Sequence, residues 1–407
     1  MARILIITDA HTPPLYGVRA RHFAQHLAQQ GHDVELISEY YHDNKTQLTN
    51  LKYKYLQLPI YGKNSVMAFL VRAAVWLIDI LFPLKEKLFT NAIRKNISGK
   101  TYDAILCSTF NSFPLLTAHT IAQEVNAKLI VDIRDMAEQA PGFVYHQYHH
   151  RILTPLLKLK QRRETQRRNQ VLRQADAITT VSPWHLEQLK DYNTNIHLIY
   201  NGYDADSVVP RAKKQENFNI VYLGKYYGKP LQNAQPFFSF VQQLINDEGL
   251  DIRLTFYTDA ASRQMLTQVI HDSIRHRITF RDYVPRQQVP HILSRASAAL
   301  VLTEVEDADG PHGIMTTKFF EAIGAGTPVL CSRCTSGPLK ELIDNTKAGI
   351  TDSDPEAFLQ YVRKLYRQWS ATNTTQTDTD SNTACKFSRQ QQALQLQQVI
   401  EQTIKTH

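Results

Sequence analysis

Residues 313–331 read GIMTTKFFEAIGAGTPVLC, and this stretch decides how the second half of the chain is interpreted. Thr316, Thr317 and Lys318 precede an apolar run in which Glu321 is the single acidic side chain. The apolar spacing predicts a helix that begins at the two threonines, and the segment GAGTP ends it before a short β-branched strand. Helices that alternate with strands in this way are typical of a parallel, doubly wound sheet.

The predicted helix start has the chemistry of an anion site. Free N–H groups at a helix start attract phosphates, and the two hydroxyls and the ammonium group of Lys318 would add to that attraction. Glu321 lies about one turn further along, where its carboxylate suits a neutral diol better than a phosphate. A nucleotide supplies both groups. The alternative is a capping box between Thr317 and Glu321, but their spacing is four residues and the box requires three.

Strand-like and helix-like segments alternate on both sides of this stretch. The predicted fold class is therefore α/β, with two doubly wound Rossmann-like domains facing a cleft. The polar segment DADSVVPRAKKQEN, residues 204–217, marks the boundary between them. The predicted parts of the chain are a first domain, 1–205, a second domain, 206–370, a flexible polar stretch, 371–388, and a C-terminal helix, 389–407, that packs back on the first domain.

The composition favours a cytosolic globular protein with an anionic partner. The 407 residues carry a formal net charge of +8, and such an excess suits nucleic acid, an anionic bilayer or a phosphorylated ligand.

Four cysteines are too few for a disulfide framework, so we expect reduced thiols. Cys331 and Cys334 form a C-x-x-C without a second pair, and His146, His149 and His150 lack a carboxylate at helical spacing. No metal site is predicted.

Ligands of doubly wound sheets bind beyond the carboxyl ends of the strands, so the loops there are the candidate site. In the first such loop, Gly17 would let the backbone approach a ligand closely, and Arg19 and Arg21 would reinforce anion binding; an ordinary strand–helix turn is the alternative. Arg134 and Asp135 directly follow the strand VDI. They form either a structural pair or a pair that positions a polar substrate.

In the second half, Lys225 and Lys229 flank a glycine in the loop after the strand FNIVYLG. Two cations on a strand–helix loop suit a diphosphate. Surface lysines are common, and a purely solvated loop is the alternative.

Two segments of the first half indicate a lipid surface. Residues 66–84, VMAFLVRAAVWLIDILFPL, have the length of a membrane span, but Arg72 and Asp79 would be costly inside a bilayer. Because these two are seven residues apart, they share one helix face and leave a broad apolar surface. We expect a buried or interfacial helix. Residues 158–173 are densely basic and follow an apolar run, which indicates contact with anionic lipid or phosphate; a solvated helix face is the alternative.

An ordered set of motifs now covers nearly the whole chain: PPLYG, GHDVELIS, VDIRD, ADAITTVS, IYNGYD, VYLGK and KFFEAIGAGTPVL. Together they resemble the family 4 glycosyltransferases of the GT-B fold, and most of all the members that build bacterial surface polysaccharides such as capsule or O-antigen. The resemblance implies retaining transfer of a hexosyl or N-acetylhexosaminyl group from a nucleotide-diphosphate sugar. A UDP-sugar is the first choice of donor, with no other cofactor and no metal ion.

The resemblance also implies how the donor is held. Glu321 matches the second glutamate of the family's Glu-x7-Glu motif, which binds the donor ribose. The first glutamate would fall at Gly313, so this chain departs from the pattern. The N–H groups of Gly313, Ile314 and Met315 would face the donor sugar. His312 or an acid of the preceding loop, EVEDADG, would replace the missing carboxylate.

The remaining site residues are implied in the same way. Lys225 and Lys229 match the Arg and Lys that clamp the donor diphosphate, and Gly17 matches the glycine of the first loop, near the phosphates. Arg134 stands where many members have a catalytic histidine, and Asp135 follows it; the polysaccharide-building subgroup shares this substitution. We therefore expect these two residues and the two lysines to be catalytic.

In this family the first domain receives the acceptor. A lipid-linked acceptor would account for residues 66–84 and 158–173, so we expect a cytoplasmic enzyme attached peripherally to the inner face of the plasma membrane. Two alternatives stay open. A nucleotide-sugar 2-epimerase has the same architecture and needs acid and base carboxylates in the cleft. A non-catalytic nucleic-acid-binding protein would interleave aromatic and basic residues on one face.

Overall fold

The structure, a computed structural model, describes residues 1–9, 18–39, 51–56, 58, 66–109, 112–140, 154–212, 214–306 and 310–406. The chain divides into two compact units. The first consists of Met1–Glu138, Val144–Tyr200 and Gln392–His407, and the second of Gln139–Phe143 and Asn201–Gln391. The first unit gives way to the second after Tyr200, a few residues before the predicted boundary.

Among the described residues, the first unit has a parallel seven-stranded sheet in the order β3-β2-β1-β4-β5-β6-β7. Its strands are β1 (Arg3–Thr8), β2 (Asp33–Glu39), β3 (Lys52–Leu56), β4 (Ala104–Thr109), β5 (Lys128–Ile133), β6 (Ala177–Thr180) and β7 (Ile196–Leu198). Successive residues of β1 point to opposite faces, so Leu5 and Ile7 enter one core cluster and Ile4 and Ile6 the other. Burial on both faces explains the uninterrupted apolar sequence of this strand.

Helices cover both faces of this sheet. They are α1 (Val18–Gln29), α2 (Val66–Leu81), α3 (Leu84–Ile97), α4 (Leu115–Val125), α5 (Thr154–Gln174) and α6 (Pro183–Leu189). α3 and α4 contribute Phe89, Ile93 and Ile121 to the core cluster that contains Leu5. α1 contributes Phe23 and Leu27 to the other cluster.

The second unit repeats the arrangement with a parallel sheet of six strands, in the order β10-β9-β8-β11-β12-β13 within the described ranges. Its strands are β8 (Phe218–Leu223), β9 (Ile252–Tyr257), β10 (Ile278–Arg281), β11 (Ala298–Leu302), β12 (Val329–Ser332) and β13 (Gly349–Thr351). Its helices are α7 (Gln235–Asn246), α8 (Ala260–Thr267), α9 (Val289–Arg295), α10 (Thr317–Gly324), α11 (Gly337–Thr346), α12 (Pro355–Thr372) and α13 (Ser381–Cys385). The predicted fold class, two doubly wound Rossmann-like domains, is confirmed.

The last helix, α14 (Arg389–Lys405), completes the core of the first unit. Leu396 and Ile400 are fully buried there, in the cluster that also contains Ile4 and Phe23. His26 and Gln397 are joined by a hydrogen bond of 3.0 Å at the edge of this contact. The helix therefore belongs to the hydrophobic core of the first unit.

The polar stretch 371–388 differs from the flexible segment expected from its composition. Thr375 is fully buried, and its hydroxyl donates to the carbonyl of Ser297 over 2.7 Å. The guanidinium of Arg211 donates to both oxygens of Thr375 over 2.9 Å. Asp380 caps α13 by accepting the N–H of Thr383. Threonine hydroxyls that bond backbone groups give this segment fixed contacts although it has few apolar side chains to bury.

α2 presents an exposed apolar surface. Val66, Phe69, Leu70, Leu77, Ile78 and Leu81 are all exposed, with Val66 78% and Phe69 63% accessible. Of the two predicted alternatives, a buried helix is therefore wrong, and an interfacial helix stays a prediction. No helix of the described residues is long and apolar enough to cross a membrane.

The cations of α5 fall into two groups. Arg168 is buried and forms an ion pair of 2.6 Å with Glu138, and Arg167 donates to the carbonyls of Asp79, Ile80 and Leu81 at the end of α2. Lys158, Arg162, Arg163 and Arg173 are exposed. The predicted basic surface is thus narrower than the sequence suggests, because part of the charge holds helices together.

Candidate active site

In the first unit, the predicted pair of Arg134 and Asp135 lies at the carboxyl end of β5. Arg134 donates to Asp9, just beyond the end of β1, over 2.8 Å. Burial raises the pKa of Asp135 to about 7; the Arg134 charge opposes the rise and the Asp9 charge adds to it. Two carboxyl groups and a guanidinium therefore meet at the sheet edge where ligands of this fold class bind.

The predicted phosphate loop of the first unit is only partly described. Gly17 lies outside the described residues, as do His146, His149 and His150. Arg19, expected to reinforce anion binding, is instead buried and donates to Asp132 and to the carbonyl oxygens of Ile199 and Tyr200. This expectation is wrong because the buried carboxylate of Asp132 requires a counter-charge, and Arg19 supplies it.

In the second unit, α10 begins where the sequence predicts. Thr316 is its N-cap, and the Thr316 hydroxyl accepts the N–H of Lys318 over 3.3 Å. The proposed capping box from Thr317 to Glu321 does not form, since the cap is one residue earlier. The Thr316 hydroxyl oxygen therefore caps the helix and its O–H is still able to donate, whereas Thr317 is exposed.

Lys318 reaches from α10 to the carboxyl end of β8. Its ammonium group lies 5.2 Å from the centre of the Tyr222 ring. A Cβ on Gly224 would approach Lys318 Cε to 3.0 Å, so the glycine leaves the room that the lysine side chain needs. Burial lowers the pKa of Lys318, and the nearby Glu321 partly offsets this. Lys225, the next residue after Gly224, is exposed. The Lys318 side chain and the Lys225 backbone therefore both lie at the carboxyl end of β8.

Tyrosines fix the loop that carries Lys225 and Lys229. The Tyr222 hydroxyl donates to the carbonyl of Lys225 over 2.7 Å, and the Lys225 ammonium lies 5.1 Å from the Tyr227 ring centre. Lys229 is also exposed, a few residues further along the same loop. The loop backbone is thus held while both ammonium groups stay open to an anionic ligand.

Glu321 has a partner that the sequence reasoning missed. Arg286, in the short helix Arg286–Gln288, donates to a Glu321 carboxylate oxygen over 3.3 Å. Burial raises the pKa of Glu321, and the charge and hydrogen bond of Arg286 act against the rise. Arg286 follows β10, and the position of a loop beyond a strand's carboxyl end was the signal that could have identified it.

The backbone at Gly313 is already engaged. Gly313 has φ +59°, in the left-handed region that favours glycine, and its N–H donates to Glu306 over 3.0 Å. Its carbonyl accepts from the side chain of Gln139 over 3.1 Å. The Gly313 N–H is therefore not free to face a sugar, which corrects the expectation for that group. Ile314 is half-buried and Met315 is buried beside it.

Among the described acids of the EVEDADG loop, Glu306 is the one that contacts Gly313. Its carboxylate lies against Gly337 at the start of α11, where an added Cβ would meet the Glu306 carboxylate at about 2.4 Å. Burial raises the pKa of Glu306, and the Gly313 N–H opposes the rise. The helix start and the Gly313 amide together fix the carboxylate next to the position where the sequence lacks one.

All four cysteines are free thiols, and Cys107, Cys331 and Cys334 are buried. Within the described ranges, no group of three or more His, Cys, Asp or Glu side chains could hold a metal ion. The features described above that can bind an anion are the lysine side chains and the backbone N–H groups at the start of α10.

Comparison with known families gives two matches. The model described as Glycosyltransferase Family 4 matches residues 17–207, and the model described as Glycosyl transferases group 1 matches residues 217–368. No curated protein matches the sequence.

Solved structures of similar fold include three instructive examples. A sucrose-phosphate synthase from Thermosynechococcus elongatus has a TM-score of 0.69 at 14% identity, with 100% of each chain covered. HepE from Anabaena in complex with UDP-glucose has a TM-score of 0.61 at 12% identity, again with 100% of each chain covered. A putative UDP-N-acetylglucosamine 2-epimerase from Listeria monocytogenes has a TM-score of 0.56 at 13% identity, with 100% of this chain and 98% of that chain covered. Identities this low establish the fold alone.

Proposed function

Because the chain belongs to the family 4 glycosyltransferases of the GT-B fold, we propose that it moves a sugar from a nucleotide-diphosphate sugar to a saccharide acceptor with retention of configuration. The observation that carries this proposal is the arrangement at the end of β8. The Lys318 side chain reaches that strand end, Lys225 follows it in the chain, and Glu321 lies one turn further along α10. This arrangement suits a diphosphate next to a ribose.

The lysines act on the leaving group. As the glycosidic bond breaks, negative charge grows on the departing nucleoside diphosphate, and fixed cations beside it lower the barrier. Lys225 and Lys229 approach from the β8 loop and Lys318 from α10, together with the N–H groups that remain free at that helix start. We propose that these groups suffice without a metal ion. A donor phosphate oxygen takes the proton of the acceptor hydroxyl as the new bond forms.

Glu321 holds the ribose in this proposal. Its carboxylate is fixed by Arg286 and keeps oxygen lone pairs for the two ribose hydroxyls. UDP is the preferred nucleoside diphosphate, because HepE, which shares the fold, is solved with UDP-glucose.

Glu306 replaces the carboxylate that is missing at Gly313. Among the described acids of the preceding loop it is the one that contacts the Gly313 backbone, and in this proposal its other carboxylate oxygen accepts from a sugar hydroxyl. Arg134 and Asp135, with Asp9, are proposed to act on the acceptor side at the sheet edge of the first unit.

The acceptor is proposed to be lipid-linked, with the enzyme attached peripherally to the cytoplasmic face of the plasma membrane in surface polysaccharide biosynthesis. The exposed apolar side chains of α2 suit the interfacial layer of a bilayer, and the exposed cations of α5 suit anionic headgroups. Vesicle co-sedimentation tests this with phosphatidylglycerol-containing vesicles. The double variant Phe69→Ser, Leu77→Ser should stay in the supernatant, and a wild-type chain that never sediments would contradict the proposal.

The donor site is tested by thermal shift with UDP, GDP and ADP. One of the three should raise the Tm by several degrees, since a ligand at 100 times its Kd adds about 2.7 kcal/mol to the free energy of unfolding. Glu321→Ala and Lys225→Ala should reduce the shift and leave the Tm of the free protein in place. If none of the three diphosphates stabilises the protein, the donor-site assignment fails.

The second candidate function is a nucleotide-sugar 2-epimerase, favoured by the fold likeness to the Listeria protein. Incubation with UDP-N-acetylglucosamine separates the two activities. A glycosyltransferase releases UDP, by transfer or slow hydrolysis, whereas that epimerase would produce an epimerised sugar.

A further inference from the structure

The first unit contains a cavity of about 340 Å³, and none of the predicted site residues that the structure describes lines it. It lies among α2, α5 and the starts of α3 and α4, and its wall includes Arg72, Trp76, Lys85 and Phe113. The starts of α3 and α4 lie at the carboxyl edge of the sheet, where ligands of this fold class bind. The volume falls within the range of roughly 300–1,000 Å³ that is usual for small-ligand sites.

α2 has two faces with different surroundings. One face lines the cavity with Arg72, Val75, Trp76 and Asp79. These residues are three, one and three positions apart, so they lie on the same side of the helix. The exposed apolar side chains, among them Leu70, Leu77 and Leu81, project from the opposite face. One helix therefore separates the cavity from the surface assigned above to the membrane.

The cavity wall is held in place by contacts of its own. Asp79 accepts the N–H of Lys85 over 2.9 Å at the start of α3, and Lys160 of α5 lies 3.7 Å from the other Asp79 oxygen. On the opposite side, Glu86 accepts the N–H groups of Leu116 and Thr117 at the start of α4. These bonds need no ligand, so the cavity is preformed, which is usual for small-molecule sites.

Most of the described cations around the cavity already have partners. Lys85 pairs with Glu39 over 2.9 Å, Arg168 with Glu138 over 2.6 Å, and Lys160 with both Asp79 and Glu164. Arg167 is engaged by the carbonyls at the end of α2. Among the described residues only Arg72 of the lining cations has no such partner. A phosphate would have to compete with the carboxylates that already pair with Lys85, Lys160 and Arg168, so the wall suits a strongly anionic ligand poorly.

The wall instead combines aromatic and apolar surface with both donors and acceptors. Trp76, Leu115 and Leu116 give the cavity wall aromatic and apolar surface against which the C–H side of a sugar ring can pack. Phe113 also lines the cavity, with the Lys85 ammonium 3.8 Å from its ring centre. Arg72 can donate to ring hydroxyls, Asp79 and Glu164 can accept from them, and Ser112 can do both. A sugar matches this mixture of donors and acceptors, because its hydroxyl groups both donate and accept hydrogen bonds. A phosphate or a plain acyl chain does not match it.

We propose that this cavity binds a sugar unit of the acceptor. The inference rests on the proposed glycosyltransferase function and makes it more specific. The bound sugar lies behind α2, about one helix diameter, roughly 10 Å, from the apolar face. An acceptor that reaches the cavity from a membrane therefore needs a spacer between its lipid and the bound sugar.

The test uses ligand-observed saturation-transfer NMR with the full chain and the methyl glycosides of glucose, galactose, mannose and N-acetylglucosamine. At least one glycoside should bind saturably in the millimolar range. Trp76→Leu and Arg72→Gln should each weaken that binding at least fivefold. Leu77→Ala, next to Trp76 on the opposite face, is the matched control and should bind as the wild type does. Circular dichroism and the Tm show whether each variant is folded.

Three results would overturn the proposal. The first is that no glycoside binds, and the second is that both cavity variants still bind the glycoside. The third is that glycerol 3-phosphate displaces the glycoside and that the binding of glycerol 3-phosphate is lost in Arg72→Gln. The thermal shift with UDP, GDP and ADP separates this failure from that of the proposed function. A cavity variant that keeps the nucleotide shift and loses glycoside binding supports both. A wild type that shows the nucleotide shift but binds no glycoside contradicts the cavity assignment alone.

Discussion

Lys318 and Glu321 lie one turn apart on α10 and carry opposite charges whose burial costs stability. Burial lowers the pKa of Lys318 and raises the pKa of Glu321, so each charged form is disfavoured in the free protein. Such strain is common at binding sites, where a ligand supplies the missing partner. For this pair the proposed ligand is the nucleoside diphosphate.

The first prediction concerns this pair. Lys318→Met keeps the length of the side chain and removes the buried charge, so the Tm of the free protein should stay equal or rise. The affinity for the nucleoside diphosphate that binds the wild type should fall at least tenfold, as expected for loss of a charge-assisted bond of about 1.5–3 kcal/mol. Isothermal titration and thermal melting measure both. Lys340→Met, on α11, is the control and should leave the affinity unchanged.

The second prediction concerns Glu306. Glu306→Gln still accepts the Gly313 N–H but carries no charge, so the affinity for UDP should stay within twofold. The catalytic efficiency kcat/KM for the sugar nucleotide should fall about 10- to 100-fold, since one hydrogen bond to a charged group is lost from the donor sugar. Equal loss of UDP affinity and of kcat/KM would show that Glu306 only supports the loop.

Some of these residues can be found from the sequence and others cannot. The helix start, Lys318 and Glu321 stand in one continuous stretch, so spacing alone predicts that they lie together. Arg286 and Gln139 lie far along the chain from their partners Glu321 and Gly313. Contacts of that kind depend on how the loops cross the sheet edge, which local spacing does not encode.

At the scale of elements, the carboxyl group of Glu86 links the starts of α3 and α4. Glu86 of α3 accepts the N–H groups of Leu116 and Thr117 in the first turn of α4, where a carboxylate suits the helix dipole. Burial nevertheless raises the pKa of Glu86 to about 7, and the bonds from Thr117 only partly offset this. The contact therefore titrates near neutral pH.

The third prediction follows from this pKa. A carboxyl group whose folded pKa is raised contributes most stability below its unfolded value of 4.5, and loses that contribution as the pH rises through about 7. Glu86→Gln should therefore match the wild type near pH 4.5 and exceed it at pH 8, by up to about 3 kcal/mol of unfolding free energy. Urea titrations at several pH values measure this. A constant difference at every pH would refute it.

The periodicity of apolar residues predicts where the helices lie in the chain, but it does not predict what each helix face contacts. The apolar run of α2 reads equally well as a core helix, and only the packed structure shows that Phe69 and Leu81 are exposed. Similarly, the basic run of α5 does not reveal that Arg168 is buried against Glu138. Periodicity identifies a helix, whereas the partner of each face depends on the tertiary arrangement.

At the scale of the whole molecule, the first unit depends on a helix from the far end of the chain. Leu396 of α14 is fully buried in the cluster that contains Ile4, Phe23 and Leu27. A C-terminal helix with an apolar face must pack somewhere, and the sequence indicated the first domain as its place. The structure gives the residues of that contact.

The fourth prediction tests this contact. Leu396→Ala should lower the free energy of unfolding by about 2–5 kcal/mol, the usual cost of removing a buried leucine side chain. Leu394→Ala, at a position 39% exposed, is the matched control and should cost much less. Denaturant titration followed by circular dichroism measures both. Equal effects would mean that α14 does not depend on its buried face.

The position of α14 in the chain also sets an order of events during synthesis. The ribosome makes Ile4 and Phe23 early but Leu396 only after the whole of Asn201–Gln391. At roughly 5–20 residues per second, synthesis of Asn201–Gln391 alone takes on the order of 10–40 seconds. Throughout that time this face of the first sheet has α1 but lacks α14, so the apolar side chains that α14 covers stay exposed. We therefore expect the nascent chain to bind chaperones that recognise such surfaces, and the second unit to be able to finish folding before the first.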